Sequence, residues 1–189
     1  DKINLVLVSR NKNKLLDIQK DITMKYDINV VIFPCDLSVK NSATELYNFC
    51  HSRNLKINYL INNAGFGIYG EFIKNEFKDI EEMIHLNITS LTELTKYFLI
   101  DMKKSKYGKI MNVASVASFQ PGPLMSVYSA TKHYVLAFSE AIAEELKNTN
   151  ISVTTLCPGP TISGFQERAG FHSSSRLFKS PLSATSKQV

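Results

Sequence analysis

A tyrosine and a lysine four residues apart, Tyr128 and Lys132, are the residues of this sequence best suited to acid–base chemistry. On a helix this spacing places both side chains on one face, one turn apart. The positive charge of the ammonium group favours the phenolate, so we expect it to lower the pKa of Tyr128 towards neutrality. Such a pair also arises by chance on ordinary helices, so a functional interpretation needs support from the rest of the chain.

The bulk composition is that of one ordinary globular domain. The chain has 189 residues, of which 44% are hydrophobic and 21% are charged, and this suits a single domain with a substantial core. The net charge of +5 comes from scattered lysines. The one cluster, Lys103-Lys104-Ser105-Lys106, is typical of a solvated helix end, so we predict no nucleic-acid partner.

The three cysteines, Cys35, Cys50 and Cys157, are not spaced as metal ligands, and we predict no metal site. The sequence shows no secretory signal and no apolar run of the roughly 20 residues that a membrane span requires. It therefore predicts a reduced, cytoplasmic compartment and no membrane span.

Short apolar segments alternate with segments of helical period along the chain. The predicted strands cover residues 3–8, 29–33, 59–61, 109–113 and 152–157. Three predicted helices cover residues 14–26, 80–102 and 127–147. A fourth is predicted after the second strand, where Ser38 or Asn41 can cap a helix that turns Ala43, Leu46 and Cys50 inwards. Because the strands are apolar throughout, we predict an α/β fold with a doubly wound parallel sheet, covered by helices on both faces.

Polar and small residues follow the predicted strands. In doubly wound sheets, ligands bind outside the carboxyl ends of the strands. The residues at these ends are Ser9-Arg10, Asp36, Asn62 to Gly65, Ser115 and Pro158-Gly159. Their convergence on one crevice makes a functional role for Tyr128 and Lys132 the better interpretation.

With Asn62-Asn63-Ala64-Gly65, Asn87, Ser115, Tyr128-x-x-x-Lys132 and Pro158-Gly159 in this order, the chain resembles the short-chain dehydrogenase/reductase family from residue 1 to about residue 170. The resemblance implies a three-layer, Rossmann-like NAD(P)-binding fold, and we treat residues 1–189 as a single, partial domain of this kind. It also implies an oxidoreductase that moves a hydride to a carbonyl carbon or from an alcohol carbon.

The resemblance gives catalytic roles to four residues. Tyr128 would protonate the carbonyl oxygen, or act as the base in the reverse direction, and Lys132 would lower its pKa and bind the nicotinamide ribose. Ser115, thirteen residues before Tyr128, would hold the substrate oxygen where charge develops. Asn87 would orient a water that supplies protons to Lys132. Ser118 competes for the role of Ser115, and the spacing favours Ser115.

Cofactor contacts are implied at the same strand ends. Asp36 and Leu37 would contact the adenine. The small residues Asn63, Ala64 and Gly65 would let the cofactor approach the backbone closely. The nicotinamide end would be contacted by Pro158, Gly159, Thr161 and Ser163. Tyr128 and Lys132 would also touch the cofactor. Asn62 is expected to brace the sheet instead. Asp36 is equally interpreted as an ordinary turn residue.

The choice between NAD and NADP depends on the residues after the first predicted strand. An NAD site places a carboxylate there for the ribose 2′-hydroxyl. This chain has Ser9 and Arg10 instead, and a guanidinium pairs well with a 2′-phosphate. We therefore predict NADP(H) as the cofactor. The alternative is that Arg10 simply faces solvent.

The opening strand of the family and its Thr-Gly-x-x-x-Gly-x-Gly turn, which binds the pyrophosphate at a helix N-terminus, have no counterpart in this sequence. The family's last strand is also absent. We therefore expect a fold that is incomplete at both termini. The missing first strand would be central, between residues 3–8 and 59–61, and its loss would leave both neighbouring strands with unpaired edges.

Two other functions compete with an oxidoreductase acting on a small carbonyl or alcohol. One is a non-catalytic cofactor-binding or interaction module, or an inactive fragment of such an enzyme, and the missing glycine turn favours it. The other is a sugar-nucleotide epimerase, a class that shares Tyr-x-x-x-Lys, although Asn62 to Gly65 disfavour it.

Two further features leave alternatives open. Seven apolar or aromatic residues could line a hydrophobic substrate pocket, namely Phe66, Ile68, Tyr69, Phe119, Leu124, Phe165 and Phe171. They are equally interpreted as ordinary core and lid residues. The apolar stripes of the helices at residues 80–102 and 127–147 would form either a homo-oligomer contact or only the core of one chain.

Overall fold

The structure, a computed structural model, describes residues 3–162, 164–170 and 184–185. Its main strands are β1 (Leu5–Ser9), β2 (Val30–Pro34), β3 (Tyr59–Asn62), β4 (Gly108–Val113) and β5 (Ile151–Leu156), followed by the two-residue strands β6 (Thr161–Ile162) and β7 (Ala184–Thr185). Every strand pair of the described chain is parallel. The predicted α/β fold with a parallel sheet is therefore confirmed.

The helices fill the gaps between the strands as predicted. They are α1 (Lys12–Lys25), α2 (Ser42–Ser52), α3 (Phe77–Ile84), α4 (Leu91–Ser105), α5 (Ser126–Glu145) and the single turn α6 (Phe165–Arg168). The long helix predicted over 80–102 consists of α3, a π-helical turn over His85–Ser90, and α4 in direct succession. Such turns widen a helix locally and are frequent at functional sites.

The cap predicted for α2 is wrong in its chemistry. Asn41 occupies the N-cap position with a left-handed backbone (φ 68°), but its side chain accepts no hydrogen bond from the helix. The Ser38 hydroxyl donates to Asp36 Oδ1 instead, at 2.6 Å.

The parallel strands lie in separate sheets. β1 pairs with β2, and β3, β4 and β5 form a second sheet in that order, so no described pairing joins β1 to β3. Among the residues that the structure describes, the facing edges of β1 and β3 have no strand partner, in agreement with the predicted unpaired edges. The prediction that helices cover both faces of the sheet is wrong for β3, because Leu60 on one face is buried while Ile61 on the other is 60% exposed.

The main core lies between the second sheet, α2 and α4. It is formed by Leu60, Ile110 and Ile151 from the strands, by Leu146 at the C-cap of α5, and by six helix residues, Ala43, Leu46, Cys50, Leu94, Phe98 and Met102. Val6 and Val8 of β1 and Phe33 of β2 pack against the same cluster. Apolar packing therefore links the two sheets.

Four buried polar side chains, which we call the polar ladder, run across the second sheet from α4 to α5. Asn62 Nδ2 donates to Thr95 Oγ1 (3.0 Å) and to Asn112 Oδ1 (2.9 Å). Asn112 Nδ2 donates to Ser139 Oγ (2.9 Å), which in turn donates to the Val135 carbonyl (2.6 Å). The prediction that Asn62 braces the sheet is confirmed.

No helix among the described residues is long and apolar enough to cross a bilayer. The predicted compartment and the predicted homo-oligomer stay predictions.

The polar ladder predicts a large stability effect at its centre. We expect Asn112→Ala to lower the free energy of unfolding by about 2–4 kcal/mol, because it breaks two buried hydrogen bonds and leaves Asn62 and Ser139 short of partners. Urea denaturation measures the change. The control is Asn48→Ala on the exposed face of α2, which should stay within about 0.5 kcal/mol of wild type. Equal effects of the two substitutions would contradict a structural role for the ladder.

Candidate active site

Tyr128 and Lys132 lie on the first two turns of α5, on the same face as predicted. The Lys132 side chain is buried, and its Nζ donates to the Val113 carbonyl at 2.7 Å. The same Nζ lies 5.8 Å from the centre of the Tyr128 ring. The end of β4 thus determines where the ammonium group sits, beside the phenol.

A glycine lets the loop after β3 approach this ammonium group. A Cβ atom at Gly65 would lie 3.0 Å from Asn87 Oδ1 and 3.4 Å from Lys132 Nζ, closer to the amide oxygen than most real Cβ contacts. Asn63, Ala64 and Gly65 are themselves exposed. The loop therefore presents accessible backbone next to Lys132.

Asn87 lies in the π-helical turn and ties this loop to α5. Its Oδ1 accepts from the Phe66 N–H (3.2 Å), and its Nδ2 donates to the Phe66 carbonyl (2.9 Å) and to Thr131 Oγ1 (3.1 Å). The amide is almost wholly buried, and both its atoms bond within the protein. In this structure its side chain acts as a brace, and the predicted water contact stays a prediction.

The two candidate serines after β4 take different positions. Ser115 Oγ accepts from the Ala117 N–H at 3.1 Å, and its hydroxyl also interacts with the Tyr128 side chain by hydrogen bonding. Ser118 is buried, and its Oγ donates to the backbone carbonyl of Lys132 at 2.8 Å. The geometry agrees with the choice of Ser115 as the residue beside the phenol, and it gives Ser118 a role in anchoring α5.

The expected lowering of the Tyr128 pKa is not found. Burial raises the pKa of Tyr128, and the hydrogen bond with Ser115 opposes this rise in part. Burial also lowers the pKa of Lys132 to about 8, against a weak opposing effect of Cys157. The prediction was wrong because it counted the positive charge and left out the desolvation of both groups. At neutral pH Tyr128 is therefore a protonated acid.

A second group of predicted residues meets at the ends of β1 and β2. Arg10 Nη1 lies 3.5 Å from Asp36 Oδ2, while Asp36 Oδ1 accepts from the N–H and the hydroxyl of Ser38. Burial raises the pKa of Asp36, but the bonds from Ser38 and the charge of Arg10 outweigh it, so the pKa is lowered overall. Asp36 is thus an ionised partner of Arg10.

Arg10 also borders an open concavity at the start of α1. The concavity is lined by Arg10, Asn11, Lys12 and Asn13. Asn11 caps α1 by accepting from the Lys14 N–H at 3.0 Å, and its own N–H points to Ser9 Oγ at 3.4 Å. The two site regions are connected through Leu37, whose carbonyl accepts from Ser90 Oγ at 2.6 Å at the end of the π-helical turn.

The segment after β5 folds back towards Ser115. The Pro158 carbonyl accepts from the Val116 N–H at 3.1 Å, and Thr161 Oγ1 donates to the Gly159 carbonyl at 3.0 Å. The segment thus lies beside the Ser115 turn, and the nicotinamide contacts of Pro158, Gly159 and Thr161 stay predictions. Ser163 lies outside the described residues, as does Phe171.

An apolar wall surrounds one edge of the Tyr128 ring. A Cβ at Gly67 would lie 2.9 Å from Met125 Cε, 3.0 Å from Phe165 Cζ and 3.0 Å from Tyr128 Cδ2. The Phe165 ring is 5.4 Å from the Tyr128 ring. The sequence indicated Phe165 as a pocket residue but missed Gly67 and Met125, because contacts between distant segments leave no local pattern. It also missed the Val113 carbonyl, since a backbone atom has no residue signature.

Comparison with known proteins places this geometry in a family. The family model described as short chain dehydrogenase matches residues 1–171. The chain is 32% identical over 160 residues to 17-beta-hydroxysteroid dehydrogenase type 3 of Homo sapiens, and 30% identical over 160 residues to very-long-chain 3-oxoacyl-CoA reductase of Rattus norvegicus. Both alignments cover 82% of this chain, and they cover 50% of the human protein and 51% of the rat protein. The chain therefore spans about half the length of the curated relatives it matches.

Solved structures agree in fold. A short-chain dehydrogenase from Sphingobium yanoikuyae in complex with NADPH superposes with a TM-score of 0.87 at 30% identity, over 96% of this chain and 69% of that one. A bulky-bulky ketone specific alcohol dehydrogenase from Comamonas testosteroni gives a TM-score of 0.79 at 29% identity, over 84% and 63%. The predicted Rossmann-like fold is confirmed. Because the family model extends over nearly the whole chain and relatives of known fold superpose on it, the chain belongs to the short-chain dehydrogenase/reductase family.

Proposed function

We propose that the protein is an NADP(H)-dependent oxidoreductase that reduces a carbonyl group, or oxidises the corresponding alcohol, with Tyr128 as the acid or base. The observation that supports this best is the buried Lys132 ammonium, held beside Gly65 by the Val113 carbonyl and one helical turn from the Tyr128 phenol. Burying a titratable amine costs stability. A buried amine with a shifted pKa beside a phenol favours a role in proton transfer over binding alone.

The residues of this chain suit proton transfer during reduction. Tyr128 is protonated at neutral pH, because burial keeps its pKa above the ordinary value, and it can donate its phenolic proton to a carbonyl oxygen. The Ser115 hydroxyl beside it can donate a second hydrogen bond to the same oxygen as negative charge develops. Lys132 then faces a phenolate and stabilises its charge. Asn87 holds Gly65 and Phe66 in place around these groups.

The exposed backbone from Asn63 to Gly65 fits a nicotinamide dinucleotide, because a side chain at Gly65 would fill the space beside Asn87 and Lys132. Arg10 and Asp36 would hold the adenosine end, and Pro158, Gly159, Thr161 and Ser163 the nicotinamide end. Such a cofactor supplies or takes up the hydride when bound. The family's pyrophosphate-binding turn has no counterpart in the 189 residues. The activity is therefore proposed for these residues together with such a turn.

Arg10 supports NADP(H) as the cofactor. It makes a single ion-pair contact with Asp36, at 3.5 Å, and its side chain is about half exposed. Its remaining N–H groups can face a 2′-phosphate at the concavity that it shares with Lys12. A relative of 30% identity was solved in complex with NADPH, which agrees with this choice.

The substrate that we propose is a small carbonyl compound or alcohol with apolar carbons next to the reacting carbon. The wall formed by Gly67, Met125 and Phe165 beside Tyr128 favours it. A non-catalytic cofactor-binding module is the second candidate, because the exposed backbone from Asn63 to Gly65 suits cofactor binding whether or not Tyr128 transfers a proton. Tight NADPH binding by the 189 residues alone would show that the turn is dispensable.

Removing the Tyr128 hydroxyl tests its role as acid. We expect Tyr128→Phe to lower kcat for ketone reduction with NADPH by about 10²–10⁴-fold, because the proton donor is lost while the ring remains. The control is Tyr134→Phe on the same helix, whose hydroxyl contacts Thr92 instead. Turnover of the Tyr128 variant within tenfold of wild type would refute the assignment.

A carboxylate at the end of β1 tests the cofactor. Ser9→Asp should raise the Kd for NADPH about tenfold or more and leave the Kd for NADH unchanged or lower, since a carboxylate repels a 2′-phosphate and accepts from ribose hydroxyls. Fluorescence titration with both cofactors measures it. Asn48→Asp adds the same charge on α2 as a control. Retention of the wild-type NADPH preference would rule out the assignment.

The lowered Lys132 pKa predicts a pH-dependent stability difference. Between its folded pKa of about 8 and its ordinary value of 10.5, the unfolded chain binds more protons at this residue than the folded one, so wild type gains stability as the pH rises. The stability of Lys132→Met relative to wild type should therefore fall by about 1 kcal/mol per pH unit between pH 8 and pH 10. Urea denaturation at pH 7, 8.5 and 10 measures the difference. A difference that does not change with pH would mean that Lys132 titrates normally.

A further inference from the structure

Arg168 on α6 is a cation at the edge of the proposed active site that the reaction does not use. Its guanidinium carbon lies 4.0 Å from the centre of the Phe66 ring, and its side chain is exposed. In the described part of the chain, no carboxylate lies within ion-pair distance of it, whereas Arg10 pairs with Asp36. A guanidinium that is held in position without a counter-charge is suited to binding an anion.

The platform under this guanidinium is rigid. Phe66 is 5% exposed, and its backbone N–H and carbonyl both bond to the buried amide of Asn87. Stacking on an aromatic ring orients a guanidinium and leaves its edges open for hydrogen bonds. The cation is therefore fixed relative to the loop that passes Lys132.

The same short helix also contacts the reactive phenol. The Phe165 ring, three residues before Arg168, lies 5.4 Å from the Tyr128 ring, and residues three apart on a helix have Cβ atoms about 5–6 Å apart. The Tyr69 N–H donates to the Ala169 carbonyl at 2.8 Å, which holds the end of α6 against the loop after β3. Arg168 thus lies about one helical turn from the apolar wall at Tyr128.

We propose that Arg168 binds an anionic group of the substrate. The site would then take an oxo compound with apolar carbons beside its carbonyl group and a carboxylate or phosphate several bonds away. This inference rests on the proposed function, in which the carbonyl oxygen lies at Tyr128. The apolar carbons of the substrate would then contact Gly67, Met125 and Phe165, and its anionic group would bind Arg168. Because this contact is remote from the reacting atoms and equal in the ground and transition states, it acts on KM and not on kcat.

A matched set of substrates tests the charge. The probes are a series of oxoalkanoates with two to six carbons between ketone and carboxylate, their methyl esters, and the corresponding oxoacyl coenzyme A thioesters, which carry phosphates. Wild type should prefer at least one anionic form over the neutral ester. Arg168→Gln should raise KM for that form about tenfold, the effect of a lost charge-assisted hydrogen bond, with kcat and the ester kinetics within twofold. Which anionic form loses affinity shows whether the group is a carboxylate or a phosphate.

Arg53 offers a matched control, because its guanidinium also stacks on a phenylalanine, 4.5 Å from the Phe49 ring, at the end of α2. Arg53→Gln should change none of these values, and Arg168→Lys should restore part of the loss. Equal changes for anion and ester in Arg168→Gln, or no preference of wild type for an anion, would overturn the proposal.

A binding measurement separates this proposal from the proposed function. Thermal unfolding with the oxoalkanoates and thioesters, without turnover, should show an upward Tm shift in wild type that Arg168→Gln loses. Turnover of esters without any anion effect would sink the Arg168 proposal alone. Absence of all turnover with NADPH by a chain that also carries the glycine-rich turn, while the anion-dependent Tm shift persists, would refute the proposed function and leave the anion site standing.

Discussion

The geometry of the candidate site depends on the polar ladder. Apolar contacts let packed elements slide by small amounts, whereas buried amides and hydroxyls must meet their partners at hydrogen-bond distance or pay a large desolvation cost. The ladder therefore sets the position of α5 over β4 through Asn112 and Ser139. Lys132 is two helical turns before Ser139 and meets the carbonyl of Val113, the residue after Asn112. The ammonium group is thus placed by the same contacts that hold the sheet and helix together.

A second constraint acts from the opposite side of the site. The π-helical turn puts Asn87 where its amide bonds both the Phe66 backbone and Thr131 of α5. Gly65 then lies close to Lys132, and a side chain there would crowd the Asn87 amide. The loop, the π-helical turn and α5 therefore form one unit, in which a shift of any part would move the proton donor relative to the exposed backbone that suits a cofactor.

The split sheet gives the two ends of the site different supports. Arg10 and Asp36 follow β1 and β2, while the acid–base residues depend on β3, β4 and α5. The two regions are connected by apolar packing and by the hydrogen bond from Ser90 to the Leu37 carbonyl, not by strand pairing. On β3, the face that carries Ile61 is largely exposed.

The sequence by itself determined the alternation of strands and helices, the shared face of Tyr128 and Lys132, and the brace at Asn62, because periodicity and residue type act locally and leave a pattern in the chain. It reached the wrong sign for the Tyr128 pKa and the wrong coverage for β3. Both depend on how much water the folded chain excludes, which no short segment encodes. Only the tertiary structure brought Val113, Gly67 and Arg168 to the site, since a backbone carbonyl, a missing side chain and a stacked cation acquire a role only from the distant residues that they meet.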